Sequence, residues 1–213
     1  IKGFVRRYSM SHLLIDTSTK NCSLFFSKEN KLIYAKSWIS ENNHSEELNN
    51  YFTEIKDLID NVDYLGVLTG PGGFNSIRIG ISFALAISIS RNIKMLAIPT
   101  HLVQAIDSII QKKPITSVIQ CGKNMTSWAE FKDGKFVHDN FGITKDEIYK
   151  GEKYCGETSD LANNIPRPYE KISKTADLLI EKFGYTKPED VLPIYAKEPS
   201  ISIPKEPYKK FNN

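Results

Sequence analysis

The stretch "LTGPGGFNSIRIGISFALAISIS", residues 68–90, restricts the fold more than any other part of the chain. A short apolar run stops at Thr69, a glycine-proline-glycine-glycine turn follows, and a long apolar segment begins at Phe74. From Ile77 to Ile89 every odd position is large and apolar, a period of two that favours a strand. Such a strand would be more than twice the usual ~5–6 residues. A buried strand, a glycine turn and a crossover helix over 74–91 account for the same residues better. In that helix Ser76, Gly80, Ala84 and Ser88 form a stripe of small residues against which another backbone can lie close. Large side chains wrap the remaining sides, which predicts burial nearly all round.

The flanking segments fit an α/β reading. "HLLIDTST" (12–19) predicts a buried strand whose carboxyl end is Asp16, and "CSLFFSK" with "KLIYAKSW" predicts a hairpin joined by "KEN" (28–30). A helix is expected over 45–60, with Ser45 as its N-cap, Glu46 and Glu47 in its first turn, and Leu48, Tyr51, Phe52, Ile55, Leu58 and Ile59 at helical spacing. "YLGVLT" (64–69) and "KMLAIPT" (94–100) read as strands, and "HLVQAIDSIIQ" (101–111) as a helix. The pattern then restarts. "ITSVIQC", "MTSWAEFK" and "KFVHDNFG" predict three strands, with Asp133-Gly134 as a hairpin turn. A short strand near "EKYCGE" and a helix over "KISKTADLLIEKFG" follow. Two βββαβα units in succession, the second abbreviated, constitute an α/β duplication. The expected divisions are an N-terminal lobe over 10–105, a shortened C-terminal lobe over 106–200 and an extended tail over 201–213. Residues 1–9 are expected to be a remnant ahead of a natural start at Met10.

Charge excludes little but does bear on partners. The formal net charge is +3, yet setting aside Lys2, Arg6 and Arg7 leaves 25 basic residues against 25 acidic. Binding of nucleic acid by bulk charge is therefore not indicated. Cys22, Cys121 and Cys155 lie far apart with no CxxC spacing, which gives neither a zinc site nor a disulfide framework. No uninterrupted apolar run reaches the ~18 residues of a membrane span, and a cytoplasmic location is expected.

The residues that could carry chemistry are few. The glycine turn lacks the Lys of a phosphate-binding loop, it lacks GxGxxG, and Pro71 removes an amide. An anion at the helix start is one reading of it. Glycine backbone freedom at a sharp strand-to-helix reversal is the simpler one. Asp16, Thr17 and Ser18 could face phosphate and magnesium together with Gly72 and Gly73, or they could organise a turn through side-chain to backbone bonds. The turn is the expected role, because Gln120 stands where the second half would need another acid. His44 has Leu48 rather than a second histidine four residues on, so a helix-entry or interface role is expected and no metal. Arg78, the one charge in the long apolar helix, either pairs with a carboxylate or contacts a partner or nucleotide.

Taken in order, "LLIDTST…CSLFF", "HSEEL", "GPGGFNSIRIGI", "IPTHLVQA" and "VLPIYAKEP" resemble the bacterial TsaB (YeaZ) family. Residues 73, 75 and 76 depart from the commoner "GPGSFTGLRIG", with Gly, Asn and Ser in place of Ser, Thr and Gly. The resemblance implies an actin-like fold of two ribonuclease-H-type lobes. It also implies a non-catalytic subunit paired with a TsaD-type enzyme in the threonylcarbamoyladenosine modification of transfer RNA. A TsaE-type ATPase would join the complex, and transfer RNA would be touched only indirectly. The expected contact surface is Leu48, Phe52, Ile55, Phe74, Ile77, Arg78 and Ile81, on the two helices' side away from the sheet. No cofactor is expected, ATP being the alternative. A small actin-fold kinase or glycoprotease-like enzyme, and a homodimeric structural protein, are the rival readings.

Overall fold

In the computed structural model, residues 10–60, 62–122, 125–137, 142–143, 154–157 and 167–196 are described. The centre of the first sheet is β1 (His12–Asp16), whose five residues are all buried. It pairs antiparallel with β2 (Asn21–Lys28), which returns through a tight turn into β3 (Lys31–Ile39). That turn places Glu29 and Asn30 at φ of 51° and 61°, the left-handed pair that fits the twist of a two-residue hairpin. After α1 (His44–Thr53), β4 (Tyr64–Gly70) runs parallel to β1. Next come α2 (Phe74–Arg91) and β5 (Lys94–Pro99), parallel to β4. The strand order is β3-β2-β1-β4-β5.

After α3 (Thr100–Ile110) the motif begins again. β6 (Ile115–Gly122) pairs antiparallel with β7 (Met125–Lys132), and β10 (Tyr154–Glu157) lies parallel to β6, as β4 lies to β1. β8 (Lys135–Phe136) and β9 (Gly142–Ile143) pair with β7. This is an α/β duplication with the ribonuclease-H strand order, in which the strands flanking β6 and β7 are short. The final helix, α4 (Tyr169–Phe183), crosses back: Ile172, Ala176 and Leu179 pack on Leu14, Phe25, Tyr64 and Leu96 of the first sheet. The chain beyond it returns as well, where Ile194 N–H donates to Thr69 C=O at 2.7 Å. Residues 1–9, most of 137–166 and the tail beyond 196 lie outside the described residues, and with them His138.

The long apolar segment is a helix over 74–91, the span the sequence predicts. Its small stripe does admit a close neighbour. A Cβ at Gly80 would collide with the Thr17 hydroxyl, and Val67 lies just beyond. The helix is not enclosed, however. Ile77, Gly80, Ile81, Ala84, Ile87 and Ser88 face the core, while Asn75, Arg78, Ser82, Ala86 and Ile89 face solvent, Ile89 at 71% exposure.

The helix expected over 45–60 is shorter, ending at Thr53, and Asn43 rather than Ser45 stands at its N-cap. Beyond it, Ile55 N–H donates to Phe52 C=O and Leu58 N–H to Ile55 C=O. These i to i−3 bonds tighten the chain into turns. The turns keep Ile55 and Ile59 inside, at 1% and 0% exposure, so the apolar spacing persists without the helix.

Candidate functional site and its internal arginine

At the carboxyl end of β1, Asp16 is 1% exposed. Its Oδ1 accepts from the Ser18 amide at 2.9 Å and the Ser18 hydroxyl at 2.7 Å, a local turn of the kind expected for Asp. Its Oδ2 accepts from Arg167 Nε at 2.7 Å. The guanidinium also donates to Ser18 Oγ at 3.2 Å and Thr19 Oγ1 at 3.0 Å, and both side chains of the ion pair are 1% exposed. Arg167 enters immediately before α4, with Pro168 at that helix's N-cap. A cation 151 positions along the chain is therefore the partner of the Asp16 carboxylate.

The glycine turn is engaged in the same way. The Gly73 amide donates to the Ser18 carbonyl at 2.7 Å, and a Cβ at Gly72 would collide with that same carbonyl oxygen. Thr17 Oγ1 donates to the Ser76 carbonyl at 2.7 Å. Turn and hairpin are zipped together, backbone against backbone, which is the geometric reading of the glycines. Asp16, Thr17, Ser18, Gly72 and Gly73 do converge, but their polar groups serve one another and Arg167. These residues do not fit a magnesium–nucleotide complex: the carboxylate is already neutralised, and the Gly73 amide is spent. Gln120, in the matching hairpin of the second sheet, donates its Nε2 to the Gly122 carbonyl at 3.1 Å.

Two buried histidines sit near the junction. His101, fully buried at the start of α3, has Nδ1 2.8 Å from Ser117 Oγ on β6 and Nε2 2.9 Å from Ser127 Oγ on β7. Desolvation, with the Arg167 charge adding to it, lowers its pKa to about 3. His12 is stacked between the rings of Tyr64 and Tyr169, with Nε2 3.0 Å from the Tyr169 hydroxyl. Burial lowers its pKa to about 4, against an opposing pull from Asp63. His44 approaches the Thr19 carbonyl at 3.3 Å, tying the start of α1 to the hairpin, which agrees with a helix-entry role. Among the described residues no group of three or more His, Cys, Asp or Glu side chains is placed to hold a metal ion. Nor is any helix there long and apolar enough to cross a membrane.

The expected contact surface needs correction. Leu48, Ile55, Ile77 and Ile81 are 0%, 1%, 0% and 5% exposed and belong to the core under α1 and α2. They face the sheet, because α2 directs its 77-80-81-84 arc inward. Phe52 and Phe74 are half-buried. Phe52 meets Phe83 edge-on at 5.1 Å between the helices. Arg78 is exposed and, among the described residues, pairs with no carboxylate: Nε donates to the Tyr195 hydroxyl at 2.8 Å, and the guanidinium lies 4.2 Å over Phe74.

Comparison with known proteins gives the family. Residues 38–184 match the family model described as "TsaD: tRNA N6-adenosine threonylcarbamoyltransferase". Over 206 residues the chain is 31% identical to the tRNA threonylcarbamoyladenosine biosynthesis protein TsaB of Buchnera aphidicola subsp. Schizaphis graminum, covering 88% of this chain and 94% of that protein. The chain belongs to the TsaB (YeaZ) family. A second Buchnera TsaB, from the subspecies Acyrthosiphon pisum, is 29% identical over 133 residues, 58% of each chain. The fold of this TsaB-family chain is that of YeaZ from Pseudomonas aeruginosa, with a TM-score of 0.71 at 16% identity over 87% of this chain and 99% of that one.

Proposed function

We propose that this chain serves tRNA threonylcarbamoyladenosine biosynthesis as a non-catalytic subunit that docks on and supports a TsaD-type enzyme. The observation that carries this reading is the Asp16–Arg167 pair. An internal arginine already engages the Asp16 carboxylate, with both side chains 1% exposed, which supports a chain that does not hold a metal–nucleotide complex there. The family likeness supplies the pathway, since the Buchnera relatives are named for it. Transfer RNA is then contacted through the partner, and a TsaE-type ATPase would join the assembly. Titrating the isolated chain with ATP and magnesium in a calorimeter should give no saturable heat, and Asp16→Asn should leave that result unchanged. Saturable binding by the parent chain that disappears in Asp16→Asn would instead favour the small-enzyme reading.

The docking face follows from the exposures. Arg78, Ser82, Ala86 and Ile89 form the solvent side of α2, and half-buried Ile79 and Phe83 flank it. Small residues down the centre and apolar ones at the margins suit a partner helix lying across α2. Ala86→Glu and Ser82→Arg sit on the exposed side of a helix, so they leave the fold intact and act on association alone. Each is expected to weaken binding to a TsaD homologue at least ~10-fold, the price of a desolvated charge without a partner. Co-sedimentation reads this directly, and undiminished binding by both variants would remove α2 from the interface. Sedimentation of the isolated chain tests whether a homodimer uses the same face.

A further inference from the structure

Two hairpins carry a lysine on either side of a two-residue turn. Lys28 stands opposite Lys31 across the β2–β3 turn, and Lys132 opposite Lys135 across the β7–β8 turn. Like charges directly opposite one another destabilise a strand pair, so the surroundings of each pair decide its meaning. At the first turn acids balance the lysines. Glu29 lies in the turn itself; its amide donates to Ser11 Oγ at 3.2 Å, and the Ser11 amide donates to the Asp63 carboxylate at 2.7 Å.

At the second turn further lysines are added instead. Asp133 and Gly134, at φ of 53° and 75°, fold against the end of α3. A Cβ at Gly134 would lie 3.0 Å from the Ile109 carbonyl oxygen and 3.8 Å from Lys112 Cγ. Lys112 itself has a φ of 55°, a left-handed position that glycine ordinarily fills at a helix end. Lys113 follows, its amide donating to the Ser108 carbonyl at 2.9 Å. Lys112, Lys113, Lys132 and Lys135 are all exposed, and among the described residues none of them has an ion-pair partner. Asp133 is the only acid in residues 111–114 and 132–137. Protection of a sheet edge accounts for one lysine on β8. It does not account for a like-charged pair and a left-handed lysine brought to one corner by two elements.

We propose that this corner of the second sheet binds the phosphate backbone of RNA directly, in addition to the contact made through a partner. The charge of the whole chain does not point to nucleic acid, but this local excess does. A phosphate backbone presents closely spaced charges of one sign and relieves the repulsion among the lysines. Lysine, a flexible point charge, holds a polyanion in place without reading its sequence. The choice of RNA rests on the tRNA-modifying role proposed above, and an acidic polypeptide is the competitor to be separated from it.

Anisotropy of a dye-labelled duplex RNA, titrated with the isolated full chain, tests this without a partner enzyme, so failure leaves docking on a TsaD-type protein untouched. Four phosphate contacts predict a dissociation constant on the order of 10 µM at about 50 mM salt, weakened roughly 100-fold at about 200 mM. Lys132→Gln with Lys135→Gln removes two of the contacts. At low salt this pair should weaken binding ~10-fold and lower the salt slope by about two. Should it misfold, Lys112→Gln with Lys113→Gln, on the other element, carries the same expected effect. Lys28→Gln with Lys31→Gln, at the balanced hairpin, should bind as the parent does. Absence of saturable binding by the parent at low salt overturns the proposal. So does parent-like binding by a folded variant of the corner, an equal loss at the balanced hairpin, or displacement of the RNA by poly-glutamate at equal charge concentration.

Discussion

Arg167→Met is expected to lower the unfolding free energy by about 3–5 kcal/mol, because it strands the Asp16 carboxylate in a buried site without its counter-charge. For a chain of this size that corresponds to a fall in Tm of roughly 6–20 °C. The loss should not be the sum of independent contacts. Asp16→Leu made together with Arg167→Met removes both charges and should restore most of the stability, since a buried pair replaced by apolar groups is often near neutral. Thermal and urea unfolding of the two single variants and the double variant close a double-mutant cycle. A coupling below about 1 kcal/mol would mean that water reaches the pair, and the account of a buried, internally neutralised carboxylate would fail with it.

The cycle also bears on function. If Asp16 were kept for a ligand, Arg167 would be a competitor for it, and its removal would stabilise or unmask binding. The hydrogen-bond pattern argues for the opposite role. Arg167 donates to Asp16, Ser18 and Thr19, three residues at the end of β1 and in the turn into β2. That same hairpin holds the Gly73 turn and the start of α2 through the Ser18 carbonyl and Thr17 hydroxyl. Thr17, Ser18 and the Gly73 amide thereby fix where α2 begins, and hence where its exposed face points. The proposed supporting role calls for that rigidity more than for a cleft.

Much of this architecture was legible because it rests on local patterns. β1, β4, α2 and β5 are bounded by changes of polarity or by glycine and proline, and the restart at Ile115 shows as a second βββ run. Helix phase was not legible. Buried Ile77, Ile81 and Ile87 alternate with half-buried Ile79, Phe83 and Leu85 and exposed Ile89. Apolar residues all round therefore give no sign of which side faces the sheet, and Ile77 and Ile81, expected at the surface, lie in the core. α1 misled for a different reason: 3-to-4 spacing survives a change from helix to consecutive turns. Arg167 was invisible, since it lies 151 positions from Asp16 and no local spacing links the two. A lone arginine just before the α4 pattern, in a stretch otherwise poor in charge, was the one available signal.

Acid should destabilise this chain well before its carboxylates titrate. His101 and His12 carry pKa values of about 3 and about 4 in the folded state, against 6.5 when exposed. Below pH 6.5 the unfolded chain therefore binds more protons than the folded one, so stability is complete above that value and declines as pH falls towards the folded pKa values. Each histidine contributes up to about 1.4 kcal/mol per pH unit in this window. Together they remove roughly 3 kcal/mol between pH 6.5 and pH 5. His12→Phe separates the two. The phenyl ring can keep the stack between Tyr64 and Tyr169, and the buried Nδ1, which has no hydrogen-bond partner, is eliminated. Its slope of stability against pH, from urea melts at pH 7, 6 and 5, should be about half that of the parent, and at pH 5 it should be the more stable protein. An unchanged slope would mean that His12 accepts a proton in the folded chain. The stacked tyrosines would then be open to water, and the packing of α4 on the first sheet would be looser than its buried Ile172 and Ala176 require.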